Sequence, residues 1–536
     1  SKLYFGQTHR LHFNHSVASS DSDNNKLKMN HSPIHIPELV EGIGEYLEQV
    51  DLARCAQVCK SWQEVFSPVL YRDFGNRVYR DFGNRMTLWS GVQRFSCHIR
   101  SLIVVVSDFP TQAQLGPECR YLTKLALKPP PDAYQPLLWC TRLRDVIDCN
   151  PSINAFQIHL NNRFDQTLFR EQNILRRMPA LKELVIVNDH YPDTTNPESN
   201  GVFEAILECG PRLESLRYHI FADGLASEDP STNINNDALP LWPRLSSLDI
   251  DDVDGRGMVL LKRCPNLKQF KTSADYFCYR LDDYRALQPV SQHFISGDGD
   301  FSLLEHLELS CLQDPWASHA LDDLLQIRNR SSNLKTLKLN IWSISTTMID
   351  ILTTRHGTFL EKLDLNVSEG ISTHNLGLLL TKCRQLIHMK VYVRNGEAGL
   401  QELDEFSPWI CIDLQSFHLK FRSRSIDDLM DMMTSFFGVT GFNHVTAESV
   451  ACISPERFWI QIGALKNLRA LHLDTEPKTP PFTKALSIEH KDIEHLCGLR
   501  RLLKLVIPLD QEFISNDVKE NLQLRRPHLQ INHTHR

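Results

Sequence analysis

The chain has 536 residues, of which 42% are hydrophobic and 23% charged, and its formal net charge is −7. That length exceeds one compact domain of ordinary size, and the acid excess argues against nucleic acid or an anionic membrane as the main partner. Its 14 cysteines are scattered without paired metal-type spacing, no secretory signal opens the sequence and no apolar run reaches membrane-spanning length, which excludes a metal-centred or membrane-embedded design and points to a reducing compartment, cytoplasmic or nuclear.

Residues 1–32 are polar, with the run Ser19-Ser20-Asp21-Ser22-Asp23-Asn24-Asn25, and are expected to be disordered. The sequence opens on Ser1. Met29 stands just before the next element and could serve as a natural start, which would leave residues 1–28 as upstream sequence.

Residues 33–75 read as three short helices. Pro37 suits a first helical position, and Leu39, Ile43 and Leu47 follow at i, i+4 and i+8 with Tyr46 beside them. Asp51 is expected to cap a second helix with Leu52, Cys55, Ala56 and Cys59 on its inner side. A third helix carries Trp62, Val65 and Phe66, and Pro68 is expected to bend or restart it. Helices this short need one another, and a partner, to bury their apolar side chains.

In that order the residues resemble an F-box. The family pattern appears as Ile36-Pro37-Glu38-Leu39-Val40, Ile43, Tyr46-Leu47, Asp51-Leu52 and Val58-Cys59-Lys60-Ser61-Trp62. One residue is missing between Pro37 and Glu38, and Gly42 and Gly44 stand where helix formers are usual, each costing about 1 kcal/mol in a helix interior. The first helix is therefore expected to be soft until docked.

Residues 76–97 form a connector containing a tandem copy: Tyr71-Arg72-Asp73-Phe74-Gly75-Asn76-Arg77-Val78 is followed by Tyr79-Arg80-Asp81-Phe82-Gly83-Asn84-Arg85-Met86. Eight residues advance a helix by about 80° beyond two turns, so the copy does not restore the same face. It reads as a slippage duplication absorbed in the connector.

Residues 98–536 are dominated by an apolar triplet, L-x-x-L-x-L. Clear copies are Leu181/Leu184/Ile186, Leu213/Leu216/Tyr218, Leu245/Leu248/Ile250, Leu304/Leu307/Leu309, Leu334/Leu337/Leu339 and Leu360/Leu363/Leu365. Others are Leu386/Met389/Val391, Leu414/Phe417/Leu419, Leu468/Leu471/Leu473 and Leu502/Leu505/Ile507. Weaker ones are Ile99/Leu102/Val104, Leu122/Leu125/Leu127, Ile153/Phe156/Ile158, Leu267/Phe270, Phe442/Val445/Ala447 and Leu529/Ile531. The mean period is about 29 residues, within the leucine-rich-repeat range. Cys264 and Cys383 stand three residues before the first Leu of their copies, and Cys209 four, which resembles the cysteine-containing subtype of the repeat. The expected fold is α/β: a leucine-rich-repeat solenoid, an irregular horseshoe of about 15 repeats, preceded by the small three-helix domain. Residues 221–240 and 274–300 read as insertions.

Catalytic motifs are missing: no phosphate-binding loop, no G-x-S-x-G elbow and no H-E-x-x-H pair occurs. The acidic pairs Asp322-Asp323 and Asp427-Asp428 open helical stretches, where carboxylates favour the macrodipole. Strand residues between the leucines should instead line one open face of the sheet. The central position gives Glu308, Lys338, Asp364, Lys390, His418 and His472, of which Lys338, Asp364, Lys390, His418 and His472 are the candidate substrate-binding residues. Flanking positions give His306, Thr336, Lys362, His388, Tyr392, Lys420 and Asp474, a mixture that suits a protein partner.

An F-box ahead of leucine-rich repeats resembles the F-box/leucine-rich-repeat family. The resemblance implies a non-catalytic substrate receptor of an SCF-type, cullin–RING ubiquitin ligase, requiring no cofactor. Ile36, Pro37, Leu39, Ile43, Leu47, Leu52, Val58 and Trp62 would meet a Skp-family adaptor, and the repeats would hold an unidentified protein target. The alternative is a leucine-rich-repeat scaffold not coupled to ubiquitination, and a third possibility is an enzyme with a site in the 221–300 insertions.

Overall fold

The computed structural model describes residues 42–43, 46–47, 49–74, 96–104, 115, 118–127, 136–160, 168–169, 173–188, 200–219, 240–251, 256–273, 303–311, 325, 333–369, 371, 373–393, 409–421, 455–475, 488–507 and 514–533. The chain divides into two compact units, one ending at Tyr71 and one beginning at Arg72.

In the first unit, helices α1 (Gln49–Cys55) and α2 (Lys60–Arg72) follow a helical turn at Gly42 and Ile43. Leu52, Phe66 and Val69 form its buried centre, with Leu47, Cys55, Ala56, Trp62, Val65 and Leu70 packed against them. The Trp62 and Phe66 rings meet edge to face at 5.4 Å, a geometry aromatic pairs favour. Three local expectations change. α1 begins before Asp51, which sits in the first turn and pairs with Arg54 at 3.0 Å rather than capping. α2 runs through position 68 without a restart. Cys59 is exposed, at the residue before α2, instead of facing inward.

The second unit is one parallel sheet of sixteen strands in strict chain order. They are β1 (Asp73–Phe74), β2 (Ser101–Val104), β3 (Lys124–Leu127), β4 (Ala155–Leu160), β5 (Glu183–Asn188), β6 (Ser215–His219), β7 (Ser247–Ile250) and β8 (Gln269–Ser273). β9 (His306–Cys311), β10 (Thr336–Ser343), β11 (Lys362–Glu369), β12 (His388–Val393), β13 (Ser416–Phe421), β14 (Ala470–Thr475), β15 (Lys504–Ile507) and β16 (Gln530–His533) complete it. The sheet is open, with β1 and β16 at its edges. Each repeat can close its core only against its neighbours, so the sheet grows by stacking.

The triplet explains the local geometry. Its second and third residues sit two apart on a strand, so both point to the same face. Leu337 and Leu339 are fully buried, as are Leu216, Leu365 and Leu471. The first residue lies at the corner before the strand, where its N–H donates to the carbonyl three residues back: Leu213 to Gly210 at 3.0 Å, Leu245 to Trp242 at 3.2 Å, Leu414 to Cys411 at 3.0 Å, Leu502 to Leu499 at 3.0 Å. From one corner to the next runs a row of backbone bonds, starting with Arg100 N–H to Arg72 at 2.9 Å and ending with Gln530 N–H to Leu503 at 2.9 Å.

Two expectations about the repeat are revised. β1, the Asp-Phe pair within the first copy of the duplicated stretch, pairs with β2 through Asp73↔Ser101 and Phe74↔Leu102, so the sheet starts before residue 98. β13 pairs directly with β14, Ser416↔Ala470 through Phe421↔Thr475, leaving no strand between them. The Phe442/Val445/Ala447 triplet, the insertions at 221–239 and 274–300, and the acidic pairs at 322–323 and 427–428 lie outside the described residues.

The covering side carries helices α3 (Pro136–Asp148), α4 (Asn200–Cys209), α5 (Arg256–Leu261), α6 (Thr346–Ile351), α7 (Thr373–Lys382), α8 (Pro455–Ala464), α9 (Ile493–Gly498) and α10 (Asn516–Arg525). Ser345 caps α6, its hydroxyl accepting from Met348 N–H at 2.9 Å, and Ser515 caps α10 by accepting from Val518 N–H at 3.3 Å.

Candidate functional site

In the first unit, the residues expected to face an adaptor fall into three sets. Ile43 is 55% exposed and Val58 64%, and their neighbour Tyr46 is 91% exposed. Leu47 and Trp62 are half-buried against the small core, and Leu52, only 4% exposed, is part of it. Ile36, Pro37 and Leu39 lie outside the described residues. Cys59 has its thiol lowered by a hydrogen bond with the Ser61 side chain and by the Trp62 backbone.

In the second unit, the central strand positions align into one row on the open face. Parallel pairing puts Arg217, Asp249, Lys271, Glu308, Lys338, Asp364, Lys390, His418 and His472 side by side on β6 to β14. Over the first seven strands the charge alternates strictly, cation then carboxylate. Arg217 Nε lies 2.7 Å from Asp249, Lys271 Nζ lies 3.8 Å from Asp249 and 3.6 Å from Glu308, Lys338 donates to Glu308 at 2.8 Å, and Lys390 stands 3.6 Å from Asp364. The hydrogen bond to Glu308 holds the Lys338 ammonium above its ordinary value. Past Lys390 the row changes character: His418 and His472 stack face to face, 3.8 Å apart and tilted by 10°.

The candidate substrate residues thus separate. Lys338 and Asp364 belong to the alternating row, Lys390 ends it, and His418 and His472 continue beyond it. The row also holds Arg217, Asp249 and Lys271, which the sequence reading passed over. Their signal was available, since each directly follows the second triplet residue, like Glu308. The corner cysteines repeat the lesson. Cys119 and Cys411 stand three residues before Leu122 and Leu414, the same spacing as Cys264 and Cys383. Burial pushes Cys119 up to about 11 and Cys209, Cys383 and Cys411 up to about 12, and raises Cys264 as well, which keeps these corner thiols protonated as packing groups.

The row is most enclosed at β6 and β7. His219 Nε2 lies 2.7 Å from Asp249 and its Nδ1 3.3 Å from Asp251. Burial pushes the Asp249 carboxyl up, but the hydrogen bond and charge of His219, with Lys271 and Arg217, outweigh it and the net shift is downward. Asp251 goes the other way: burial, reinforced by the charge of Asp249 and opposed by His219, pushes it up to about 6. A raised carboxyl is protonated more readily folded than unfolded. Its contribution is therefore intact below about pH 4, the usual carboxylate range, and is lost as pH rises through about 6. Asp251→Asn should remove this loss. Its unfolding free energy relative to wild type should climb between pH 4 and 6 and exceed it by about 1 kcal/mol at pH 7.5. A difference that does not vary with pH in urea titrations would contradict the assignment.

Among the described residues, no group of three or more His, Cys, Asp or Glu is placed to hold a metal ion, and no helix is long and apolar enough to cross a membrane.

Residues 37–77 match the F-box-like family model. None of the curated proteins matches the chain. Solved structures to which it is similar include an internalin from Listeria monocytogenes, at 12% identity and TM-score 0.30 over 83% of this chain and 84% of that one. A further one is the complex of Rad7 and Elc1 in yeast, at 14% identity and TM-score 0.38 over 90% and 97%. The first unit is accordingly F-box-like. The second, with its buried leucine triplets and open parallel sheet, is a leucine-rich-repeat solenoid.

Proposed function

We propose that the chain is the substrate-receptor subunit of an SCF-type, cullin–RING ubiquitin ligase, its F-box-like domain bound to a Skp-family adaptor and its repeats bound to a protein target. The match over residues 37–77 carries this reading. It is supported by the exposed apolar side chains Ile43, Tyr46 and Val58 on a domain that keeps Leu52, Phe66 and Val69 for its own core. Large apolar groups left in water on so small a unit gain by being covered. Ile43 and Val58, with Ile36, Pro37 and Leu39, meet the adaptor, and Leu47, Leu52 and Trp62 stand behind them to fix their positions. The role is non-catalytic: the receptor supplies proximity between target and ubiquitin-loaded enzyme.

The test is capture of the full chain on an immobilised Skp-family adaptor. Wild type should be retained at physiological salt, and Ile43→Asp with Val58→Asp should weaken retention roughly 30-fold or more, the scale of buried apolar anchors. A wild-type chain that is folded but not retained would overturn the proposal, as would a variant that binds equally well.

A further inference from the structure

From β7 to β11 each carboxylate of the central row has a cation on the next strand. From β12 to β14 the same row is Lys390, His418 and His472, with no carboxylate. The flanking rows add Lys362, opposite His388, Lys420, opposite Tyr392 and Asp474, and Lys504, opposite Ala470. Lys362, Lys390, Lys420, Lys504 and the two stacked imidazoles therefore occupy the open-face positions of β11–β15, where the acidic positions are Asp364, 3.6 Å from Lys390, and Asp474, in register with Lys420. Lys362, Lys390 and Lys504 are exposed, and Lys420 Nζ lies over the Tyr392 ring at 5.5 Å. The local field is visible in His388, which burial and the charge of Lys362 hold below its ordinary value. This basic surface stands on a chain whose net charge is −7.

We infer that the open face of β11–β15 is the docking surface for an acidic, extended segment of the protein target, its carboxylate or phosphoryl oxygens meeting Lys362, Lys390, Lys420 and Lys504 around the His418–His472 stack. The inference rests on the receptor reading above and names the chemistry of the target. The dimensions agree. Four strand spacings of about 4.8 Å span about 19 Å, the reach of about six extended residues. In the central row acid and base balance one for one from Arg217 to Asp364, whereas on the open-face positions of β12–β15 Lys390, Lys420 and Lys504 stand against Asp474, a net excess of positive charge.

The experiment uses the full chain and a fluorescein-labelled octaglutamate peptide, read by polarisation. Binding should weaken with rising salt. Lys390→Glu with Lys420→Glu should weaken it about tenfold or more, while Lys124→Glu with Lys262→Glu, the same charge change elsewhere on the unit, should weaken it less than about twofold. If the first variant loses its cooperative melt, Lys390→Gln with Lys420→Gln carries the test, with about a threefold loss expected. A peptide alternating phosphoserine and glycine distinguishes phosphoryl from carboxylate recognition, tighter binding of either one naming the source. Undetectable binding of both peptides, equal losses in the two Lys→Glu variants, or equal binding of an eight-nucleotide thymidine strand would overturn the inference. Adaptor capture of the same proteins separates the two readings: adaptor retained without peptide binding sinks the acidic-segment inference alone, and peptide binding without adaptor sinks the ligase assignment alone.

Discussion

Replacing Asp249 by Ala should lower the unfolding free energy by about 3 kcal/mol at pH 7, the low end of what removing one member of a buried ion pair costs. Its side chain is 10% exposed, and the carboxylate accepts from both Arg217 and His219 at 2.7 Å. Without it, Arg217 and Lys271 lose the charge between them, and His219 is left with Asp251 alone. Arg217 is about half exposed, so water recovers part of its solvation, which is why the low end applies. Asp249→Asn keeps the shape and an acceptor but not the charge, and should cost about half as much. Urea titrations of the three proteins decide the matter. A loss below about 1 kcal/mol for the Ala variant would make the row an ordinary solvated surface, where ion pairs are worth that little.

Trp242→Ala should cost about 4 kcal/mol, by emptying the largest buried side chain of the β6–β7 corner. The indole is fully buried, and its backbone N–H donates to Arg263 at 2.7 Å. The ring lies directly against Gly210, so that a Cβ at that position would fall inside it. Gly210→Ala alone should therefore cost about 1–3 kcal/mol through overpacking. The two changes should not add. In the Trp242→Ala background the extra methyl enters the vacated space, and Gly210→Ala should become neutral or mildly stabilising. Additive losses would mean that the glycine is needed for its backbone and not for the room it leaves. Because each repeat touches only its neighbours, amide exchange should rise most between β5 and β8 and little at β14–β16.

The solenoid was legible in the sequence because leucines at fixed spacing leave a strand no choice of face. Leu181/Leu184/Ile186 and its fellows map one to one onto β5 and its neighbours. Position 442–447 satisfies the same pattern but lies outside the described residues, while β13 and β14 are seen to pair directly. β1 was hidden because two residues, Asp73 and Phe74, are too few to show any period. The residues of the central row were named from Glu308 onward, but their mutual pairing was not. Pairing depends on register across spacings of 22 to 54 residues, from Asp249–Lys271 to His418–His472, which only the backbone bonds between corners determine. In the F-box-like unit the apolar pattern placed Leu52 on the inner side, where it is 4% exposed, but the family pattern grouped it with Val58, 64% exposed, as one adaptor-facing set, because a motif records residue types and not their burial.

The strict alternation from Arg217 to Lys390 restricts how this sheet can change in length. Copying or deleting a single repeat between β6 and β12 would bring like charge beside like charge on adjacent strands, about 4.8 Å apart. Copying or deleting two consecutive repeats would leave the sequence of signs intact. The middle of the solenoid is thus a row with parity, free to lengthen or shorten by pairs, while the ends, where the alternation is absent, carry no such rule.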